Sequence, residues 1–307
     1  MSLSKLSNWW FLFRSLRIIG GLVAALALVG CSAVRLGYNN GPTLAYWWLD
    51  RYFDFDDAQS LRVRADLQTV QDWHRRQELP LLVKQLRDLQ TLAPKTVTSE
   101  QVCTLVRELQ TRLQTTLGRV VPTIAAIAPG LQDSQLERMV QEFERRDRAW
   151  QEEWMEGTPD ERRQRRIKQI VERAESFYGS LDPTQLVVVR DHIGTSSFDG
   201  PRQLREMQRR HQHTVRVLRE LRKPHISSPQ AQAQVQMLLE QTFVAPDPAY
   251  RQYMDHLTQE SCHAMAALHN RSSAEQRKRL VRTLQDYEGD ARALMDEAAR
   301  APATAQP

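Results

Sequence analysis

From Thr43 onward apolar residues recur every three or four positions, and the strict alternation that marks half-buried strands does not appear. Leu44, Trp47, Trp48 and Phe53 predict a short aromatic helix after the Asn39-Asn40-Gly41-Pro42 turn. Leu61, Ala65, Leu67, Val70 and Trp73 predict a second, from about Asp57 to Arg76. Leu79-Pro80 opens a third, because proline is tolerated in a first turn; Leu82, Leu86 and Leu89 continue it until Pro94.

Later helix starts share a grammar: Thr98-Ser99-Glu100-Gln101, Asp133-Ser134-Gln135, Thr158-Pro159-Asp160-Glu161, Asp182-Pro183-Thr184-Gln185 and Ser272-Ser273-Ala274-Glu275-Gln276. Each sets a hydroxyl or carboxylate where it can accept from an early backbone N–H, with an acid or amide in the first turn. Stripes such as Val102/Val106/Leu109/Leu113/Leu117 and Leu204/Met207/His211/Val215/Leu218/Leu221 follow or lie between these starts. Such helices are amphipathic and need partners. Short connections rich in Pro and Gly favour antiparallel neighbours. The expectation is therefore an all-α body of antiparallel amphipathic helices over residues 31–300, with a weak boundary near 181–201 between two partly separable halves, and a frayed tail at 301–307. Proline interrupts the heptads too often for one continuous coiled coil.

Composition agrees with this picture: 307 residues, 41% hydrophobic, 26% charged and only 12 Gly suit a helical body with a real core. The N-terminus changes it. Lys5, Arg14 and Arg17 precede the apolar run Ile18 to Val29 without an acid among them, the layout of a secretory signal over residues 1–30. That run of about 12 residues is short of the ~20 that span a bilayer. It ends in Leu28-Val29-Gly30-Cys31, which resembles a bacterial lipobox. The resemblance implies that Cys31 becomes the mature first residue and carries acyl chains, palmitate in type, so that the membrane is a partner through this anchor. In lipoproteins of Gram-negative bacteria, Ser32 rather than Asp after the cysteine implies the outer membrane, with the body in the periplasm. The alternative is a signal-anchor helix with Cys31 as a buried thiol.

Cleavage after residue 30 would remove three of the 42 cations and no acid, leaving 39 against 37. The runs Arg162-Arg163-Gln164-Arg165-Arg166 and Arg209-Arg210 have acids close by, so no concentrated basic face points to nucleic acid. Cys103 and Cys262 are the cysteines left beside Cys31. In an oxidising compartment they invite a disulfide closing a loop of about 160 residues. Two separately buried thiols are the alternative. His256, Cys262, His263 and His269 share one predicted helix, but neither an HExxH nor an i,i+4 histidine pair is present, and no metal or cofactor is expected. His211 and His213, two apart, face different ways. There is no nucleophile elbow and no phosphate-cradling Gly-rich loop.

The densest peculiarity is Tyr38 and Asn39 followed by Tyr46, Trp47, Trp48, Tyr52, Phe53 and Phe55. These aromatics either rest at a membrane interface beside the anchor or plug the helical body, and the periodicity of Trp47 and Trp48 favours the plug. Trp73, His74 and Arg75 form a second patch, either a recognition surface or an ion-pair network at a helix corner.

Val34-Arg35-Leu36-Gly37-Tyr38-Asn39, Trp47-Trp48-Leu49-Asp50-Arg51-Tyr52 and Trp73-His74-Arg75-Arg76-Gln77-Glu78-Leu79-Pro80 resemble the proteobacterial lipoprotein family DUF6279. Trp150 to Trp154, Pro246-Asp247-Pro248-Ala249-Tyr250 and Glu260-Ser261-Cys262 fit it too. The resemblance implies an envelope lipoprotein of unknown function and carries no catalytic residues over. A looser similarity, to helical periplasmic stress proteins of the Spy type, rests on Val97-Thr98-Ser99-Glu100-Gln101 and Leu181-Asp182-Pro183-Thr184-Gln185. The first expectation is a non-enzymatic protein binding an envelope component or a partly folded client in an apolar groove. The alternative is a cell-wall or lipid-processing enzyme whose carboxylate pair assembles only in the fold.

Overall fold

The computed structural model describes residues 33–300, so the expected signal peptide at 1–30, Cys31 and the tail expected at 301–307 lie outside the described residues. Among the described residues the regular structure is helical and includes no strand, which makes the fold all-α. A short helix α1 (33–39) leads in. It is followed by α2 (Gly41–Phe53), α3 (Asp57–Gln77), α4 (Leu79–Leu92), α5 (Ser99–Gly118), α6 (Val121–Ile127), α7 (Asp133–Trp154) and α8 (Pro159–Tyr178). The chain returns through α9 (Pro183–Thr195), α10 (Gly200–Leu221), α11 (Ser228–Phe243), α12 (Pro248–Asn270) and α13 (Ala274–Arg300).

The helix starts follow the capping grammar. Thr98 and Gln101, Thr158 and Glu161, Asp182 and Gln185, and Ser273 and Gln276 exchange backbone and side-chain bonds reciprocally, satisfying two otherwise orphaned N–H groups at each start. For α7 the cap falls one residue earlier than Asp133, on Gln132, because the Gln135 side chain returns to the Gln132 N–H at 2.8 Å. A further start, Asp56 with Gln59, builds the same box.

These boxes also join one another. The Gln59 and Gln135 amides pair cyclically, at 3.5 and 2.7 Å, tying the start of α3 to that of α7. Gln185 and Gln276 do the same at 3.1 and 2.9 Å, tying α9 to α13. All the polar capacity of these buried amides is thereby directed to partners, which burial demands.

The helices pair as a nested hairpin. α8 lies against α9, α7 against α10, α6 against α11, α5 against α12 and α4 against α13. The registers are antiparallel: Leu79 and Val83 meet Ala291 and Leu294, whereas Leu86 meets Leu284. Likewise Asp133 bonds Arg222 near one end of the α7–α10 pair, while Asp147 meets His211 farther along it. The short connections were expected to make sequential neighbours the main partners, but most helices take theirs from the other half of the chain. The segment 181–201 is consequently where the chain turns back, and the two halves share cores instead of each holding its own. Gly179, at φ 77° and ψ −168°, occupies backbone space that is essentially glycine's alone and lets the turn begin directly after α8.

The largest core cluster draws Tyr52, Val121, Leu136 and Met139 from the outgoing chain and Val215, Leu218, Leu221 and Val235 from the return. Beside it His211 stacks on Phe143, 4.0 Å between centroids and 7° from parallel, with Nδ1 3.1 Å from Asp147 Oδ1. Burial, then the nearby Arg146 and Arg210 guanidiniums, push the imidazole down to about 4. A ring held below its ordinary 6.5 contributes stability in full above that value and loses it as pH falls toward 4. The full loss is about 3 kcal/mol. Asp147, raised by its own burial, acts in the opposite direction, and His74, His192, His213 and His269, all lowered first by burial, act in the same one. Urea unfolding at pH 7.5 and 4.5 should therefore show a smaller stability difference in His211→Gln than in the native chain; equal differences would mean that His211 titrates normally when folded.

Candidate functional site

The expected site residues are divided among several places. Tyr38, Asn39, His74 and Arg75 come together, with the Tyr38 hydroxyl 2.8 Å from His74 Nδ1 and the Arg75 guanidinium bonded to Asn39 Oδ1 and lying 5.4 Å from the Tyr38 ring centroid. Gln71 donates to the Tyr38 carbonyl, and Glu297 on α13 accepts from Arg35 and from Asn39 at 3.1 Å. This cluster straps α1 onto α3 and α13. Trp73 faces another neighbour, Arg119, whose guanidinium carbon is 4.3 Å from the indole centroid. Trp47 and Trp48 do not plug the body: they are 60% and 50% exposed, and the buried aromatics of α2 are Tyr46 and Tyr52. The helical period was right, but the aromatics of α2 that bury are Tyr46, on the side away from the indoles, and Tyr52, one turn beyond Trp48. Leu61 likewise belongs to the periodic pattern and points outward.

Cys103 and Cys262 are disulfide-bonded, with Cα atoms 5.4 Å apart, near the start of α5 and in the second half of α12. The bond sits in a small apolar cluster with Val102 and Ala266. Asn270 reinforces the junction by accepting from the Val97 N–H and donating to the Val97 carbonyl. The other histidines of α12 separate: His256 meets Glu260 at 3.1 Å, His263 is exposed, and His269 is buried. His269 Nδ1 lies 2.9 Å from the Tyr178 hydroxyl and Nε2 lies 2.8 Å from the Lys95 carbonyl. A carbonyl can only accept, so Nε2 carries a proton, and in the neutral ring that burial favours Nδ1 accepts from the Tyr178 hydroxyl. Burial, the leading cause, holds its pKa down accordingly and raises that of Tyr178 to about 12. Among the described residues no cluster of His, Cys, Asp and Glu has the makings of a metal site.

What sequence periodicity does not reveal is a groove of about 1220 Å³ walled by α4, α5, α8, α9, α12 and α13. Its lining is mainly apolar: Leu81, Leu89 and Leu105 on one side, Ile170 and Phe177 from α8, Val188 and Ile193 from α9, and Ala264 and Met265 from α12. It arises because the nested pairs form several small core clusters instead of one, leaving the space between them open. The disulfide joins two of its walls. Tyr178 and His269, already bonded to each other, form part of the lining.

The charges around the groove are unevenly satisfied. Asp88 is held by Lys84 at 2.7 Å, Glu100 by Arg107 at 2.6 Å, and Glu108 accepts from Gln85 at 3.0 Å. Arg112 lies 3.5 Å from Glu78. By contrast, Arg166 and Arg173, two turns apart on α8, have no ion-pair partner among the described residues. Arg166 donates to Ser196 Oγ at 3.0 Å and lies 4.4 Å from the Phe198 ring centroid, at the end of the groove that also holds Trp154 and His192. Its half-burial, the leading cause, lowers its pKa, as expected of a guanidinium short of compensating charge. The arrangement is chemically an apolar trough with two available cations along one wall.

Among the described residues no helix is long and apolar enough to cross a membrane. A family model described as a family of unknown function, DUF6279, matches residues 51–251. No curated protein and no solved structure matches the chain.

Proposed function

The chain belongs to the DUF6279 family, and from that premise we propose that it is a lipid-anchored, non-enzymatic binding protein of the bacterial cell envelope, which receives an apolar segment of a partly folded client in the groove between α4, α5, α8, α9, α12 and α13. The observation that carries this reading is the groove itself. At about 1220 Å³ it exceeds the 300–1,000 Å³ of ordinary small-molecule sites and suits a run of side chains presented by an extended or helical segment. Met265, more than half exposed at its edge, supplies the adaptable surface that permissive recognition uses. Arg166 and Arg173 favour clients with acidic residues beside the apolar run.

The address rests on the signal-like residues 1–30, the lipobox cysteine Cys31 and Ser32, which together support an outer-membrane anchor with the body in the periplasm. The Cys103–Cys262 bond supports an extracytoplasmic setting, since cytosolic thiols of most organisms are kept reduced.

The test is light scattering by a chemically denatured protein diluted into buffer, with and without the purified chain from residue 32 onward. Equimolar chain should cut the aggregation at least by half, and Ala264→Trp, which fills the groove with an indole while circular dichroism stays native, should abolish the effect. Unchanged scattering with the native chain, or full protection by Ala264→Trp, would overturn the reading.

A further inference from the structure

The uncovered face of α2 points to a second contact with the membrane. Leu44, Trp47, Trp48 and Arg51 are spaced three, four and seven apart and therefore share one helical face. That face is turned to solvent: Leu44 is 50% exposed, beside Trp47 and Trp48, and Arg51 is exposed as well. α2 is held to the body by Tyr46, which bonds Ser60 at 2.8 Å from the opposite side, and by Tyr52, one turn beyond Trp48, which packs on Phe143 at 5.6 Å and on the Trp48 ring at 4.9 Å. Trp47 and the outer half of Trp48 remain open to solvent on a helix that already has its packing contacts, and the fold does not account for that exposure.

The occupant follows from composition and position. Indoles flanked by an aliphatic side chain and guanidiniums are the signature of a helix lying in the headgroup layer, the rings among the glycerol and upper acyl groups and the cations on phosphates. Arg51 is on the face itself, and the Arg146 guanidinium is 5.9 Å from the Trp48 ring centroid. Arg146 also donates to the Tyr52 hydroxyl, and the neighbouring acids are engaged elsewhere: Asp50 accepts from the Phe55 N–H at 3.0 Å, Asp54 is held by Arg138 at 3.0 Å, and Glu142, which faces Arg51 and Arg146 from α7, is bonded by Arg145. Position decides between a bilayer and a protein. Trp47 is sixteen residues after Cys31, and because most of that stretch is helical it spans about 30 Å at most. An acyl anchor on Cys31 thus keeps α2 within about 30 Å of the membrane, close enough for this face to reach it.

We propose that the Leu44–Trp47–Trp48 face of α2 rests in the headgroup region of the same bilayer that holds the acyl chains of Cys31, with Arg51 on lipid phosphates. This depends on the lipid-anchor part of the function proposed above and is independent of the groove. It would fix the orientation of the body on its anchor, where a flexible tether alone would leave it free to tumble.

The test uses the processed, acylated chain reconstituted into vesicles of phosphatidylethanolamine and phosphatidylglycerol, with or without bromine atoms on the acyl chains near the headgroup. Tryptophan emission of the native chain should fall by about a third on bromination, and that fraction should disappear when both Trp47→Phe and Trp48→Phe are present, leaving Trp73, Trp150 and Trp154 as unquenched reporters. Equal fractional quenching with and without the two substitutions, or none in the native chain, would overturn the proposal while leaving the anchor intact. Failure of the native chain to float with the vesicles would overturn the anchor and this contact together. A Cys31→Ala chain that floats equally well would show that the anchor is not acyl, and would overturn the proposal as stated.

Discussion

Replacing Cys103 and Cys262 with alanine should lower the free energy of unfolding by about 5 kcal/mol, the largest single effect expected in this chain. The cysteines are 159 positions apart, so the bond closes a loop that takes in α5 to α12. Denying the unfolded chain the freedom of a loop that long costs it about 17 cal/mol/K, which gives the figure at room temperature. Both residues are buried among Val102 and Ala266, so the double alanine variant also loses packing at the α5–α12 contact. Urea unfolding of the native, reduced and double-alanine chains is the measurement. If all three agree within about 1 kcal/mol, the cross-link does not restrain the unfolded state and its role lies elsewhere. Because α5 and α12 are also groove walls, the reduced chain should lose client protection at a lower urea concentration than the oxidised one.

Gln185→Ala should cost about 4 kcal/mol, far more than the removal of a polar side chain normally does. Gln185 has 0% exposure and serves three purposes at once. Its carbonyl oxygen accepts from the Asp182 N–H at 3.0 Å to close the cap of α9 and from the Gln276 amide at 2.9 Å. Its amide nitrogen donates to Ser272 Oγ at 3.2 Å and back to Gln276 at 3.1 Å. Truncation to alanine leaves these partners facing a small cavity, and each unsatisfied buried group costs about 1–3 kcal/mol. Glu in the same place would retain the two acceptor bonds and lose the donated ones, so Gln185→Glu should fall between alanine and native near neutral pH. Thermal and chemical unfolding of the two variants decide the matter. A loss below about 1 kcal/mol in Gln185→Ala would mean that water enters and replaces the amide.

The elements were legible because they are local. Thr98, Thr158, Asp182 and Ser273 begin helices for reasons contained within four residues, and Pro80 and Pro94 mark an opening and a stop in the same way. The one-residue shift to Gln132 reflects which side chain wins a local competition, here Gln135 reaching back. Periodicity identifies a stripe without naming its partner, so Leu44, Leu61, Leu109 and Leu113 read as core positions and are exposed. Trp47 and Trp48 failed as a plug for the same reason, since Tyr46 and Tyr52 were equally available to fill the core from the same helix. The groove was anticipated only as an expectation of function, and no residue pattern located it: its walls come from six helices, and it exists because their pairs do not close on one another.

The nested pairing carries a consequence for how the chain folds as it is made. α4 packs on α3 early, but its main partner, α13, appears only some 180 residues later, and at about 5–20 residues per second this wait is on the order of ten seconds or more. Of the nested pairs, only α8 and α9, joined by a turn of a few residues, can meet without closing a long loop. Once they do, α7 and α10 are already near each other, then α6 and α11, so each further closure is entropically cheap although its sequence separation grows. Folding should therefore zip outward from Gly179, with the termini docking last, and several apolar stripes of the chain would stay uncovered early in its synthesis.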